Sequence, residues 1–321
     1  FTERPPDTLE GHSGSIHSIA FSPDGESLAS ASADSKVRLW DLETKDTIVS
    51  YESHTGPVNG VAFSPDGKQL ASAGSDRTAR AWDSSTGKDP RVVTGNSEPI
   101  RTVAFSPDGK RIAFASGVSA SPTNTTELVG DNRITLWELA RNERTVIPQA
   151  HRSPINRVVF RPDGATLLSA SEDSTIRMWD VTRWNHFPSD EIDQSHASGE
   201  PAVDLEMVAR AENSKKEFEG PRFFRPSVIA AHASGINDVA FSPDGTLLAS
   251  AGSDSRLQMW DTSTGTMAAT CEGHVKSVTT VAFSPDGELL ASAGDDNTVR
   301  LWDTNSGKAL QIFSEIANST D

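Results

Sequence analysis

The sequence predicts an all-β chain built from stacked four-stranded units, and three observations carry that prediction. The pentapeptide FSPDG stands at Phe21–Gly25 and returns at Phe63, Phe105, Phe241 and Phe283, with FRPDG at Phe160. A marker residue precedes each copy: His12, His54 and Asn96 follow one another at 42 residues, His151 continues the series, and His232 and His274 are again 42 apart. Between the markers, apolar and small polar residues alternate with period two, the pattern of half-buried strands rather than helices. A period of about 20 to 50 residues is the signature of a repeat architecture and fixes the fold class before any local reading.

The first unit shows how each element arises. Ile16 to Phe21 alternates and makes the first strand. Pro23-Asp24-Gly25 then combines a preset φ, a side chain that bonds its own backbone and a residue at ease with positive φ, so the chain turns tightly. Ser27 to Ser32 makes the second strand, Asp34-Ser35-Lys36 turns again, and Val37 to Trp40 makes the third. A polar loop after Asp41 leads to a fourth strand around Thr47 to Tyr51. Four short antiparallel strands cannot bury both faces alone, so neighbouring units must stack on them.

GHSGSIHSIAFSPDG followed by LASASADSKVRLWD resembles the WD40 repeat, whose units form the blades of a β-propeller. The dipeptide recurs as Trp40-Asp41, Trp82-Asp83, Trp179-Asp180, Trp260-Asp261 and Trp302-Asp303, with Trp137-Glu138 as the departure. The resemblance covers nearly the whole chain and implies one propeller domain over residues 1–321. Six repeats are clear, and a seventh, degenerate blade is expected at about 181–231, because His151 and His232 are 81 residues apart and His196-Ala-Ser-Gly duplicates His232-Ala-Ser-Gly. Its strands are expected near Ala202–Val208, Lys215–Glu219, Arg222–Arg225 and Ser227–Ala231; the competing reading makes Val203 to Phe218 a surface helix. Either Asp7–Glu10 or Lys308–Phe313 is expected to provide the outer strand of the last blade, since an open ring leaves unpaired edges.

Composition narrows the function. Lys plus Arg number 29 against 45 Asp plus Glu, and the net charge of −16 repels phosphate backbones and anionic lipid, so neither nucleic acid nor membrane is an expected partner. No apolar run reaches the roughly 18 residues of a membrane span, and no signal-peptide pattern opens the chain, so a soluble cytoplasmic domain is expected. Cys271 is the single cysteine, which rules out an internal disulfide and a cysteine metal cluster. Asn124-Thr125-Thr126 and Asn318-Ser319-Thr320 match the glycosylation pattern, a short signal that arises readily by chance. No cofactor is expected: no Gly-rich loop joins a strand to a helix, and His17, His186 and His196 lack metal-ligand spacing.

The most chemical-looking feature is a His, Ser and Asp trio. It occurs as His12, Ser30, Asp34; His54, Ser72, Asp76; His151, Ser169, Asp173; His232, Ser250, Asp254; and His274, Ser292, Asp296. Five copies argue against a hydrolase triad. With a turn centred on Ser35, Ser30 falls opposite Trp40, so a hydrogen-bond chain can run from indole through serine and imidazole to carboxylate. The resemblance implies that these, with Trp40, Trp82, Trp179, Trp260 and Trp302, are the structural tetrads of the blades. The third unit departs, with Asn96 for histidine, Phe114 for serine and an inserted loop at 117–130.

By family analogy, the partner-binding face carries a ring just inside the first strand of each unit: His17, Asn59, Arg101, Asn156, Asn237 and Thr279. Positions two before it, and one before each tetrad aspartate, belong to the same face. Arg101 is the one formal cation of the ring, which otherwise suits hydrogen bonding to a protein or peptide. The expected function is therefore a non-catalytic interaction scaffold, monomeric as a propeller. The alternative is a ligand-sensing module of a larger kinase or NTPase protein, as in repeat-rich bacterial and fungal relatives; a propeller-based hydrolase is the second alternative.

Overall fold

The computed structural model describes residues 8–88, 90–117, 131–148, 150–182, 227–229 and 232–314. Among them stand six four-stranded antiparallel sheets, each a simple meander in chain order. The inner strands are Ile16–Phe21, Val58–Phe63, Ile100–Phe105, Ile155–Phe160, Ile236–Phe241 and Val278–Phe283. The sheets that they open are called the first to sixth blades.

Each FSPDG copy folds as the residue types dictate. Gly25 sits at φ +75°, a conformation that costs a side chain bearing Cβ, and its N–H donates to the Ser22 carbonyl. The Asp24 carboxylate accepts from the Ser22 hydroxyl and the Glu26 N–H. The phenylalanine before each turn joins the apolar layer between blades, as Phe63, Phe105 and Phe160 do. Phe21 of the first blade is the exception, at 63% exposure.

The core lies between blades rather than within them. Ala29, Ala31, Val37, Leu39 and Tyr51 of the first blade pack on Val58, Val61, Leu70 and Trp82 of the second. The same division of labour recurs down to Ala249, Ala251, Leu257 and Cys271 of the fifth against Val278, Val281, Leu290 and Trp302 of the sixth. Five such clusters form among the described residues, one between each consecutive pair of blades. The blades approach closely at their inner strands: a Cβ on Gly60 would stand 3.3 Å from the Thr102 Cα.

The fourth blade refines the sequence expectation. Ser227–Ile229, expected in the degenerate unit, pairs with Ile176, Arg177 and Met178 and forms the outer strand of the fourth sheet. Leu168, Ala170 and Ile176 of that sheet pack directly on Ile236, Val239, Leu248 and Trp260 of the fifth blade. The remaining strands expected at 202–208, 215–219 and 222–225 lie outside the described residues, as do His186, His196, both glycosylation patterns and 118–130 of the inserted loop. Of the two candidates for the last outer strand, Ala309–Ser314 takes it, pairing with Thr298–Trp302, whereas Thr8–Glu10 carry no strand.

Candidate functional site

The tetrads are complete in five blades. In the second, the Trp82 indole N–H donates to Ser72 Oγ at 2.8 Å, and Ser72 Oγ lies 2.7 Å from His54 Nε2. His54 Nδ1 lies 2.9 Å from the Asp76 carboxylate. With the serine oxygen accepting from indole, its proton goes to Nε2, which leaves the neutral imidazole protonated at Nδ1 to donate to aspartate. The His–Asp distance in the other four is 2.8 Å for His12–Asp34 and 2.9 Å for His151–Asp173, His232–Asp254 and His274–Asp296. Each aspartate also accepts the backbone N–H after its histidine, at Ser13, Thr55, Arg152, Ala233 and Val275, and so clamps the loop before the inner strand to the second hairpin turn.

The register corrects how serine meets tryptophan. The hairpin turns one residue earlier than a Ser35 centre requires, so Ser30 faces Arg38 and Trp40 faces Leu28. The indole therefore reaches diagonally along the strand to Ser30, at 2.7 Å. The five serines are 0–4% exposed and already hold two partners each, so no substrate carbonyl can approach Oγ.

Burial works against the charged forms of Asp76 and Asp173. Their histidine, threonine and backbone N–H partners outweigh it and hold both carboxyls well below the usual range. In His151 burial prevails instead: it lowers the imidazole's pKa and favours the neutral form despite the Asp173 carboxylate beside it.

The third blade builds a different arrangement. Phe114 fills the serine place at 1% exposure, and the Trp137 indole turns to the Asn142 side chain at 3.0 Å. Asn96 donates instead to the Arg77 carbonyl of the second blade, at 3.1 Å.

All six ring residues occupy one structural position. Each is the extra residue of a β-bulge, between Ile16 and Ser18, Val58 and Gly60, Ile100 and Thr102, Ile155 and Arg157, Ile236 and Asp238, or Val278 and Thr280. A bulge re-aims its side chain along the strand end. Here it points the side chain at the next blade. His17 Nδ1 stands 3.2 Å from the Val58 carbonyl, Asn59 donates to Ile100 at 2.8 Å, Asn156 to Ile236 at 2.9 Å and Asn237 to Val278 at 2.7 Å. Arg101 binds the Gly117 carbonyl, the Asn156 side chain at 2.8 Å and the Glu172 carboxylate at 2.7 Å. Thr279 turns back to the Ala293 carbonyl of its own blade, at 3.1 Å.

The ring thus stitches consecutive blades while leaving its remaining polar atoms at the surface. The Arg101–Glu172 pair is a quarter to a third exposed, with side chains at 28% and 35%. Glu172, Ser75 and Ser253 stand one before a tetrad aspartate, the further set of positions expected on this face; Ser75 and Ser253 bond Asn59 and Asn237. Among the described residues, no group of three His, Cys, Asp or Glu side chains is placed to hold a metal ion.

With six blades, five tetrads and the bulge ring in place, comparison with known proteins supplies the family. The model for WD domain, G-beta repeat matches residues 3–41, 45–83, 87–138, 142–180, 225–261 and 265–303, and the chain belongs to the WD40 repeat family. Such propellers are generally non-catalytic and typically serve as protein-interaction scaffolds. The chain is 34% identical over 177 residues to nuclear distribution protein PAC1 of Gibberella zeae, covering 48% of this chain and 36% of that protein. It is 28% identical over 150 residues to pre-mRNA-processing factor 19 of Caenorhabditis elegans, covering 43% and 30%. It is 29% identical over 118 residues to polyadenylation factor subunit 2 of Candida albicans, covering 35% and 21%. The chain spans about a fifth to a third of the length of these relatives.

Proposed function

We propose that this chain is a non-catalytic interaction module whose bulge-ring face binds a protein or peptide. The observation that carries the reading is the ring itself: five blades in succession aim a donor side chain from the same bulge, and the Arg101–Glu172 pair sits beside them partly exposed. A polar face of fixed donors and acceptors suits an extended peptide, whose backbone offers both kinds of partner. Buried, fully partnered tetrads support a scaffold over a hydrolase.

The same reading treats the described blades as one domain that a seventh blade completes; the apolar faces left open on the first and sixth blades, where Ile19 is 57% and Val299 44% exposed, support it. The binding claim is tested by capturing partners from the native source with the wild-type chain and with an Arg101→Ala/Asn156→Ala variant of unchanged melting temperature. Loss of the captured protein is expected; equal capture contradicts the proposal.

A further inference from the structure

One residue past each bulge, the inner strands carry a second row: Ser18, Gly60, Thr102, Arg157, Asp238 and Thr280. The row has a structural task. An antiparallel ladder bonds every second residue, so the N–H after each row position points away from its own sheet, toward the axis. In the third blade, Ser106 N–H bonds the Arg111 carbonyl, Ala104 and Thr102 follow in the ladder, and Val103 N–H is the one that faces inward. The preceding blade normally accepts that group: Val61 N–H donates to the Ser18 hydroxyl at 3.3 Å, Val158 N–H to that of Thr102 at 3.3 Å and Val281 N–H to the Asp238 carboxylate at 3.1 Å. Two positions fail the task. Gly60 has no side chain to offer Val103, although a Cβ there would stand 3.4 Å from the Val103 nitrogen. Arg157 is a donor only, so Asp238 caps Val239 N–H of its own strand instead, at 2.9 Å.

The result is a corner of donors on the axis. The Asp238 carboxylate, 9% exposed, is already occupied by Val239, Val281, the Thr280 hydroxyl at 2.8 Å and Arg157 Nε at 3.1 Å. The Arg157 side chain is 43% exposed, and its two terminal nitrogens hold no partner among the described residues. Arg157 and Val103 border one cavity of 370 Å³, whose wall also includes Ala62, Ala104 and Val159. Pockets for small molecules run from about 300 to 1,000 Å³ and combine apolar walls with a few aimed polar groups. We propose that this axial cavity binds a small organic carboxylate, its oxygens held by the Arg157 guanidinium and the Val103 N–H and its apolar body laid along the small side chains. Two donors without an acceptor select an anion, and the planar guanidinium fork matches the two oxygens of a carboxylate. One arginine and one N–H suit a single negative charge, and a chain of net charge −16 repels a polyanion. The site is separate from the bulge ring, whose Arg101 is committed to Gly117, Asn156 and Glu172.

The probe is sodium octanoate, titrated into the full chain at low ionic strength and followed by calorimetry and by backbone amide NMR. Saturable one-to-one binding is expected, with the largest amide shift at Val103. Octanol, which has the body without the charge, and acetate, which has the charge with almost no body, should each bind at least tenfold more weakly. Arg157→Gln should weaken octanoate at least tenfold, and Gly60→Ser, which gives the Val103 N–H an acceptor, at least threefold. Arg256→Ala, at an exposed cation in the second hairpin turn of the fifth blade, should leave binding unchanged. Melting temperatures check that each variant is folded, and the amide shift and the octanol comparison need no variant at all. Absence of saturable binding overturns the proposal. So does octanol binding as tightly as octanoate, which would make the cavity apolar only. Equal affinity in folded Arg157→Gln, or amide shifts centred on Glu172 with Val103 unmoved, overturns it too.

Discussion

Replacing Asp76 by alanine probes the network that holds a blade together. The Asp76 carboxylate accepts from His54 Nδ1 at 2.9 Å, the Thr55 N–H at 3.1 Å, the Thr78 N–H at 3.1 Å and the Thr78 hydroxyl at 2.8 Å. The His54 side chain is fully buried, so its N–H has no water to turn to. An unpaired buried donor costs about 1–3 kcal/mol. Thr78 Oγ1, 3.3 Å from Nδ1, relieves part of that loss, which places the expected cost near 2 kcal/mol. At roughly 1.5 °C per kcal/mol for a domain of this size, the melting temperature should fall by about 3 °C.

Asp76→Asn keeps one acceptor for the imidazole and should lose about half as much. The pH dependence gives a second readout. Because the folded carboxyl is held below its ordinary value, its contribution is complete above the unfolded pKa of about 3.9 and fades as pH falls through the folded value. The gap between wild type and Asp76→Ala in urea titrations should therefore be constant from pH 7 to 5 and narrow below about pH 4. A melting temperature within about 1 °C of wild type at pH 7 would refute the assigned role.

Three other outcomes are expected. Burial lowers the His151 pKa, so its contribution is complete above the unfolded value of about 6.5 and declines as pH falls below it; the loss of stability between pH 7 and 5 should be smaller in His151→Gln, measured by urea midpoints. Burial pushes the Cys271 thiol up to about 12, so a thiol-reactive dye should label the native chain far more slowly than the urea-unfolded one. Asn142→Ala removes the acceptor of the buried Trp137 indole and should cost about 1 kcal/mol in urea unfolding, with little change in the other blades.

The fold was legible because repetition repeats its own signal. Proline, aspartate and glycine mark the same turn six times, and each strand boundary in the first unit follows from alternation. The tetrads were legible for the same reason, although their register was not: a one-residue difference in turn centre put Trp40 opposite Leu28. The bulges were not legible, because a bulge is a fact about which backbone groups pair, and His17 and Asn59 differ in side-chain type while sharing it. The Arg101–Glu172 contact joins residues 71 apart and appears only once two blades stand side by side. The open faces were hidden for a further reason. Ile16, Ile19 and Phe21 carry the same pattern as their covered counterparts, so the sequence states what the face suits and not whether a neighbour stands on it.

Hydrogen exchange of the chain bound to a captured partner tests the interaction reading most directly, because the two faces of the propeller lie at opposite ends of each inner strand. Protection is expected at the bulge ends, around His17, Asn59, Arg101, Asn156, Asn237 and Thr279, with the Pro-Asp-Gly turns at residues 23–25, 65–67 and 107–109 unchanged. Protection concentrated at those turns, with the bulge ends exchanging as in the free chain, would contradict it.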